Sequence, residues 1–239
     1  MIICNSRKYI FIHLHKTGGS SFEIAAEPTL AWNDLLLGST ETGEILNKYY
    51  SKRHRLAKHS SLSDVTQVCG AANIEDYRYL TLVRHPIKRA ISLYRFVETI
   101  ISGFCQRKGV SLSQIKEQHE IFIKQYEVLR WPASRAYVMS DGDHESYFTH
   151  AELDKEVGMQ PQITQISVNG AIPSQLRIVR LEDIKQAGSI FKDFTGKELE
   201  IPHSNKSRTK PLTDDDLSES VKDYLYARFK TDLDRFNYE

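Results

Sequence analysis

Cysteine is scarce in this chain, and its few cysteines form no recognisable pattern. Cys4, Cys69 and Cys105 are odd in number and include no CxxC pair. Structural zinc sites use four ligands at characteristic spacings, and disulfide frameworks use even numbers of cysteines. We therefore expect free thiols in a reducing compartment, without a disulfide framework or a metal site.

A long hydrophobic run is also missing. The apolar stretch near the N-terminus covers only Tyr9–Leu14, whereas a membrane-spanning helix needs about 20 apolar residues. No signal-peptide cleavage pattern accompanies this stretch. We expect no transmembrane segment and a cytoplasmic location. Whether a membrane anchor precedes this sequence stays an open question.

An excess of charge of one sign is absent too. Lys and Arg number 32 against 31 Asp and Glu, which gives a net charge of +1. This balance, together with the lack of RNA- or DNA-binding motifs, predicts no nucleic-acid partner but is compatible with a small local anion site. With 239 residues, 40% of them hydrophobic, the chain can form the core of one large α/β domain.

The sequence does contain an alternation of short buried strands and helices. Tyr9–Leu14 is a β-branched and aromatic run that is nearly apolar on both faces, as is typical of a central parallel strand. Further strands are predicted over Tyr79–Arg84 and Gln175–Leu181, and helices over Phe22–Glu27, from Pro86 onwards, over Ser113–Arg130, over Glu182–Thr195 and from Thr213 to about Lys230. Residues 32–70 are polar and show no clear pattern. The alternation predicts a three-layer α/β fold with a central parallel sheet flanked by helices.

The turn after the first predicted strand has the composition of an anion-binding loop. Gly18 and Gly19 allow the backbone to approach an anion closely, and the following helix presents its N–H groups and its positive dipole end there. The loop also offers one ammonium group and three hydroxyls, from Lys16, Thr17, Ser20 and Ser21. The lysine precedes the glycines, so the segment is neither a GxxxxGK loop nor a GxGxxG turn.

A second group of polar residues follows the strand over Tyr79–Arg84. Arg84 lies at the carboxyl end of that strand, where open α/β sheets bind their ligands. Ser92 lies in the second turn of the next predicted helix, from which it can face the same crevice. A guanidinium fork and a hydroxyl together suit a phosphate monoester.

Taken together, the two segments resemble signatures of the carbohydrate sulfotransferases, the family of the heparan 2-O-, chondroitin and HNK-1 enzymes. HLHKTGGSSF is similar to the HIPKTAGTSF-type signature, and VRHPIKRAISLY is similar to VRxPxxRxxSxY at identical spacing. Further similar stretches, in the same order as in the family, are residues 160–165, VRLEDI at 179–184, IPHSNKS at 201–207 and the closing DLDRFNYE. One departure is His15, where the family usually has proline.

The resemblance implies a single sulfotransferase domain over residues 1–239 with a P-loop-like core. Its co-substrate would be PAPS (3′-phosphoadenosine 5′-phosphosulfate), and its acceptor a hydroxyl on a glycan or a small molecule, with no metal required. The positions that match the family's 5′-phosphosulfate loop are Lys16, Thr17, Gly18, Gly19, Ser20 and Ser21. Arg84 and Ser92 match the pair that holds the 3′-phosphate, and Lys16 would also neutralise the leaving phosphate oxygen.

Sulfuryl transfer also requires a base for the acceptor hydroxyl, ideally one that titrates near neutrality. His59 resembles the family's histidine between the two donor motifs and is our first choice, with His13 and Glu23 as rivals. We expect His85 to be structural. A polar stretch that either covers the nucleotide as a flap or is a solvated loop contains His203, Asn205, Lys206 and Ser207.

Two other functional classes stay open from the residues alone. A small-molecule or nucleoside kinase would use a similar loop, but the chain has no GK[ST] ending and no clear magnesium-binding carboxylate after a strand. A non-catalytic nucleotide-binding module would not need Lys16 or His59. The identity of the acceptor stays open among an oligosaccharide, a lipid-linked glycan and a small hydroxylated metabolite.

Overall fold

Five short strands form one sheet in the computed structural model of the protein, which describes residues 1–201 and 212–238. The strands are β1 (Ile2–Cys4), β2 (Tyr9–Ile12), β3 (Leu35–Leu36), β4 (Arg78–Val83) and β5 (Leu176–Arg180). Their order across the sheet is β3-β1-β2-β4-β5. The predicted strands at Tyr9, Tyr79 and Gln175 are therefore confirmed as the adjacent strands β2, β4 and β5, with ends shifted by one or two residues.

The sheet is mixed, so the prediction of a parallel sheet is correct only for the side formed by β2, β4 and β5. β2 pairs with β4 and β4 with β5 in parallel, with Ile10 opposite Tyr79 and Thr81 opposite Ile178. β1 runs antiparallel to both β2 and β3. Residues 5–8 join β1 to β2, and a connection this short allows only an antiparallel hairpin. β1 and β3 are too short to give a clear alternating pattern in the sequence.

Helices account for most of the rest of the described chain. They are α1 (Gly19–Ala26), α2 (Glu41–His54), α3 (Leu62–Cys69), α4 (Pro86–Lys108), α5 (Leu112–Glu117), α6 (His119–Gln125), α7 (Pro132–Met139), α8 (His144–Phe148), α9 (Gln162–Ile166), α10 (Lys185–Thr195) and α11 (Glu219–Phe236). None of the helices in the described ranges is both long enough and apolar enough to span a membrane. The polar segment 32–70, which showed no pattern, contains β3, α2 and α3.

Two predicted helices are wrong in their extent. The helix expected over Ser113–Arg130 is divided into α5, α6 and a 3-10 turn at Glu127–Arg130, because Gln118 leaves helical geometry with φ −107° and ψ 28°. Thr213 caps only a 3-10 turn, and the N-cap of the long α11 is Ser218, whose side chain accepts a hydrogen bond from the Val221 amide. The long helix therefore begins five residues after the predicted start at Thr213.

The chain divides into two compact units. The first comprises Met1–Arg84 with the described residues from Gln162 to 201, and the second comprises His85–Pro161 with residues 212–238. The first unit contains the sheet, and its core includes Phe11 of β2 stacked on Phe22 of α1 with ring centroids 4.1 Å apart. This contact holds α1 against the sheet and so positions the loop between β2 and α1.

The second unit is a helical assembly around α4. Its core contains the apolar side of α4, including Ile87, Val97 and Ile101, together with side chains of α7, α8 and α11. Arg89 is fully buried in it, where its guanidinium lies over the Phe229 ring and donates to the carbonyl of Gln160 at 2.5 Å. A single domain over residues 1–239 stays a prediction.

Candidate active site

Backbone geometry opens the loop between β2 and α1 toward the positive end of the helix. Gly18, the N-cap of α1, has φ 82°, and no side chain caps the first turn there. A Cβ on Gly18 would lie 2.6 Å from Cδ1 of Leu181, so both conformation and space favour glycine at this position. Lys16 also adopts a left-handed conformation, with φ 63°. Such backbone strain in a non-glycine residue is concentrated at functional sites.

Gly19 is required for a reason that the sequence did not reveal. A Cβ at this position would lie 2.2 Å from Cδ2 of the His13 ring. The second glycine of the pair therefore makes room for a histidine side chain inside the protein. Close approach of an anion to the backbone is not the only reason for a glycine here.

The hydroxyl groups of the loop have different partners. Thr17 is fully buried, and its hydroxyl donates to the carbonyl of Leu14 at 3.0 Å, which stabilises the turn itself. The Ser20 hydroxyl accepts a hydrogen bond from Ser39 at 3.0 Å. Ser21 is buried on α1, and its amide donates to Gly18 at 3.1 Å. Sequence reasoning missed Ser39, which lies in the segment without a clear pattern.

Positive charge is concentrated around Lys16. Because the chain as a whole is nearly neutral, an anion site requires such a local excess of cations. Burial lowers the pKa of Lys16 to about 8, with smaller contributions from the nearby charges of Arg84 and Lys58. The Arg84 guanidinium donates through Nη1 to the carbonyl of Lys16 at 3.3 Å. The structure thus brings the Lys16 loop and Arg84 together within the first unit. A bound anion would relieve the mutual repulsion of these cations.

Arg84 is held in place by a buried glutamine. Gln162 of α9 is fully buried, and its side-chain oxygen accepts from the Arg84 amide at 2.9 Å. Its side-chain nitrogen donates to the Arg84 carbonyl, also at 2.9 Å. Gln162 lies in the stretch 160–165 that resembles the family, but the sequence suggested no role for it.

His59 lies beside the loop and has a defined tautomer. Its Nδ1 is 2.8 Å from the carbonyl oxygen of His13, and a carbonyl only accepts, so Nδ1 carries the proton. Burial lowers the pKa of His59 well below 6.5, and the proximity of His15 lowers it further. The ring is therefore neutral near pH 7, and the lone pair on its Nε2 can accept a proton.

The two rival bases are buried and paired with each other. Nδ1 of His13 is 2.7 Å from Oε1 of Glu23, and both side chains are almost completely inaccessible. The same carboxylate oxygen also pairs with the α-amine of Met1. Of the three candidates, only His59 is partly exposed.

The comparison with protein families identifies the family of the chain. A model described as "Sulfotransferase family" matches residues 1–239. The chain belongs to the sulfotransferase family. No curated protein and no solved structure matches it significantly. The protein is therefore an enzyme that transfers a sulfuryl group to an acceptor.

The remaining predicted residues of the sulfotransferase lie in the second unit or outside the described chain. Ser92 lies in the second turn of α4 and is partly buried, as predicted from its spacing. His85 precedes α4, and its ring contacts that of Tyr238 edge-on, with centroids 5.2 Å apart. The proposed flap residues His203, Asn205, Lys206 and Ser207 lie outside the described residues.

The candidate site also contains a cation that sequence reasoning missed. Lys58 directly precedes His59, its amide donates to Asn47 at 2.7 Å, and its ammonium lies 3.7 Å from a carboxylate oxygen of Glu44. Its aliphatic chain packs where a Cβ of Gly38 would be, at 2.3 Å. Helix α2 thus fixes the segment that presents His59. Chemically, the site combines two lysines, an arginine and a helix N-terminus with the neutral, partly exposed imidazole of His59.

Proposed function

We propose that this sulfotransferase uses PAPS as its donor and transfers the sulfuryl group to a hydroxyl on a carbohydrate. The observation that carries the donor assignment is the contact of 3.3 Å between Arg84 Nη1 and the carbonyl of Lys16. It joins the two signature segments, which the resemblance assigns to opposite ends of one nucleotide. A ligand with two separate anionic groups explains why both segments belong to one site.

The residues fit the two anionic ends of the donor. The 5′-phosphosulfate would bind the loop from Lys16 to Ser21, which offers an ammonium group, the start of α1 and the hydroxyl of Ser20. The 3′-phosphate would bind the guanidinium of Arg84 together with Ser92 of α4. The hydroxyl of Thr17 stabilises the turn instead of serving as a donor to the ligand.

The base in this proposal is His59. As the acceptor oxygen bonds to sulfur, Nε2 of His59 takes the hydroxyl proton, and the bond from sulfur to the phosphate oxygen breaks. Adenosine 3′,5′-bisphosphate leaves, and Lys16 neutralises the charge that grows on the bridging oxygen. Catalysis then consists of positioning, electrostatic stabilisation and proton removal, as in related phosphoryl transfers. The carbohydrate acceptor is supported by the resemblance of the signatures.

The nucleotide specificity tests the donor assignment directly. Adenosine 3′,5′-bisphosphate should raise the melting temperature far more than AMP, because a ligand that binds only the native state stabilises it. Loss of the 3′-phosphate should weaken binding by roughly tenfold to a thousandfold. Magnesium should make no difference. Stronger stabilisation by ATP with magnesium would contradict the proposal and favour a kinase.

A matched pair of arginine variants assigns the preference to one residue. In Arg84→Ala the preference for the 3′-phosphate should largely disappear. Arg177→Ala removes the same charge from an exposed position on β5 and should retain the preference. A screen of hydroxyl acceptors with PAPS, read by mass shift, then identifies the acceptor class.

A further inference from the structure

The imidazole rings of His15 and His59 are stacked in the first unit. Their centroids are 3.7 Å apart and their planes differ by 28°. The signature that this loop resembles usually has proline at position 15, and a donor-binding loop does not by itself require an aromatic ring there. The stack therefore calls for an explanation in this chain.

The stack adds a second constraint to the ring of His59. The hydrogen bond from Nδ1 to the carbonyl of His13 fixes one edge of the ring but leaves it free to tilt about that bond. The face of His15 limits this tilt on one side. The ring of His13 meets His59 at 71° with centroids 4.6 Å apart, which limits it further. Nε2 is thereby held in one direction.

The same geometry links the charges of the two rings. Two imidazolium groups at this separation repel each other, so protonation of one disfavours protonation of the other. A neutral aromatic face, in contrast, attracts a cation placed over it. The stack therefore stabilises the imidazolium of His59 only while His15 is neutral, whereas a positive charge on His15 lowers the pKa of His59.

We propose that His15 is a positioning residue for His59, which it orients by stacking and with which it shares no more than one proton near neutral pH. The proposal rests on the proposed role of His59 as the base. During transfer the acceptor's proton moves to Nε2 of His59, and His15 stays neutral throughout.

Other charged groups surround the pair and must stay constant in any test. Beside His59 is Lys58, which pairs with Glu44 of α2, and beside His15 is Lys16. The remaining members are His13, which follows β2, its partner Glu23 on α1, and the amine of Met1, which also pairs with Glu23. Substitutions at position 15 leave all of these in place. A change in the titration of His59 then reports on the ring of His15.

Two variants separate stacking from charge. His15→Phe retains a flat ring that cannot be protonated, and His15→Ala removes both ring and charge. In His15→Phe the pKa of His59 should rise, because the ring at position 15 can no longer take up a competing proton at the acidic pH where His59 titrates. In His15→Ala, kcat should fall about tenfold or more while donor affinity changes little, because the base is misplaced. His54→Phe, at an exposed position of α2, is the matched control.

The readouts are NMR titrations of the histidine ring protons and the pH profile of kcat. In the wild-type enzyme, the signals of both rings should show two shared titration steps. Independent one-step titrations, or an unchanged pKa of His59 in His15→Phe, would overturn the shared proton. Wild-type kcat in His15→Ala would overturn the positioning role. The NMR titration tests the stack without relying on catalysis. The role of His59 as the base is tested separately by His59→Ala, and full activity of that variant would contradict it.

Discussion

The side chain of Gln162 pairs with both backbone groups of Arg84. It accepts from the amide and donates to the carbonyl, each at 2.9 Å, and it is fully buried. This two-point contact fixes the backbone from which the guanidinium reaches the carbonyl of Lys16. The proposed 3′-phosphate site thus depends on an uncharged residue that is fully buried.

Gln162→Leu should weaken binding of adenosine 3′,5′-bisphosphate and destabilise the protein. It removes the side-chain hydrogen bonds to the part-buried amide and carbonyl of Arg84, each of which contributes about 0.5–1.5 kcal/mol to the free energy of unfolding. Binding should weaken by roughly tenfold, with less effect on AMP. Calorimetry and urea unfolding measure the two effects. Gln162→Glu keeps the acceptor for the amide, so its affinity and stability should lie between those of wild type and Gln162→Leu. Unchanged nucleotide selectivity in both variants would contradict the role of Gln162.

Lys16→Ala should reduce turnover far more than donor affinity. The charge that Lys16 neutralises grows only as the bond to the bridging oxygen breaks, so the interaction is strongest in the transition state. Loss of one such group typically reduces kcat about a hundredfold or more. Single-turnover kinetics and donor Kd separate the effects. Lys52→Ala, exposed on α2, controls for net charge; normal turnover in a folded Lys16→Ala enzyme would exclude the assignment.

Donor affinity should fall as pH rises through about 8. Burial first, and then Arg84 and Lys58, lower the pKa of Lys16 to that value, so the ammonium loses its proton in this range unless an anion is bound. Binding of the donor should therefore be accompanied by partial uptake of a proton just above pH 8, and the loss of affinity there should stay small beside the loss of turnover in Lys16→Ala. Calorimetry in buffers of different ionisation enthalpy counts that proton. Lys16→Arg stays charged throughout and should show neither effect.

Whereas donor affinity should fall as pH rises above about 8, the contribution of Lys16 to the free energy of unfolding of the ligand-free protein should rise. The unfolded chain holds the Lys16 proton up to about pH 10.5, whereas the native state releases it near pH 8. The unfolded state thus binds more protons in this window, and the contribution of Lys16 to stability rises with pH. Comparison of wild type with Lys16→Met by urea unfolding isolates this contribution; identical pH dependence in both would refute it.

His59→Ala should abolish most transfer while leaving donor binding nearly normal. Removal of a general base typically lowers the rate about 10² to 10⁴-fold. Because burial and the proximity of His15 lower the pKa of His59 below 6.5, the acid limb of the wild-type profile should lie below that pH, with a plateau at neutrality. His54→Ala should leave the profile unchanged. Transfer at the normal rate by His59→Ala would return the role to Glu23 or His13.

Much of the donor loop could be predicted from the sequence, because its determinants are local. A buried run ending near Leu14, a glycine with positive φ at position 18 and a following helix are all specified by residues close together in the chain. The parallel pairing of β2, β4 and β5 also followed from strand–helix alternation. The antiparallel β1 did not, because three residues give too short a pattern.

Only the tertiary structure decided how the site is supported, because its key contacts join residues that are distant in the chain. His59 bonds to His13 across 46 residues, and Gln162 bonds to Arg84 across 78. The space that Gly19 leaves for His13 and the stack of His15 on His59 are likewise contacts between side chains. Local sequence specifies backbone conformation and amphipathic faces, whereas packing of separate elements determines which polar groups meet and which protons they carry.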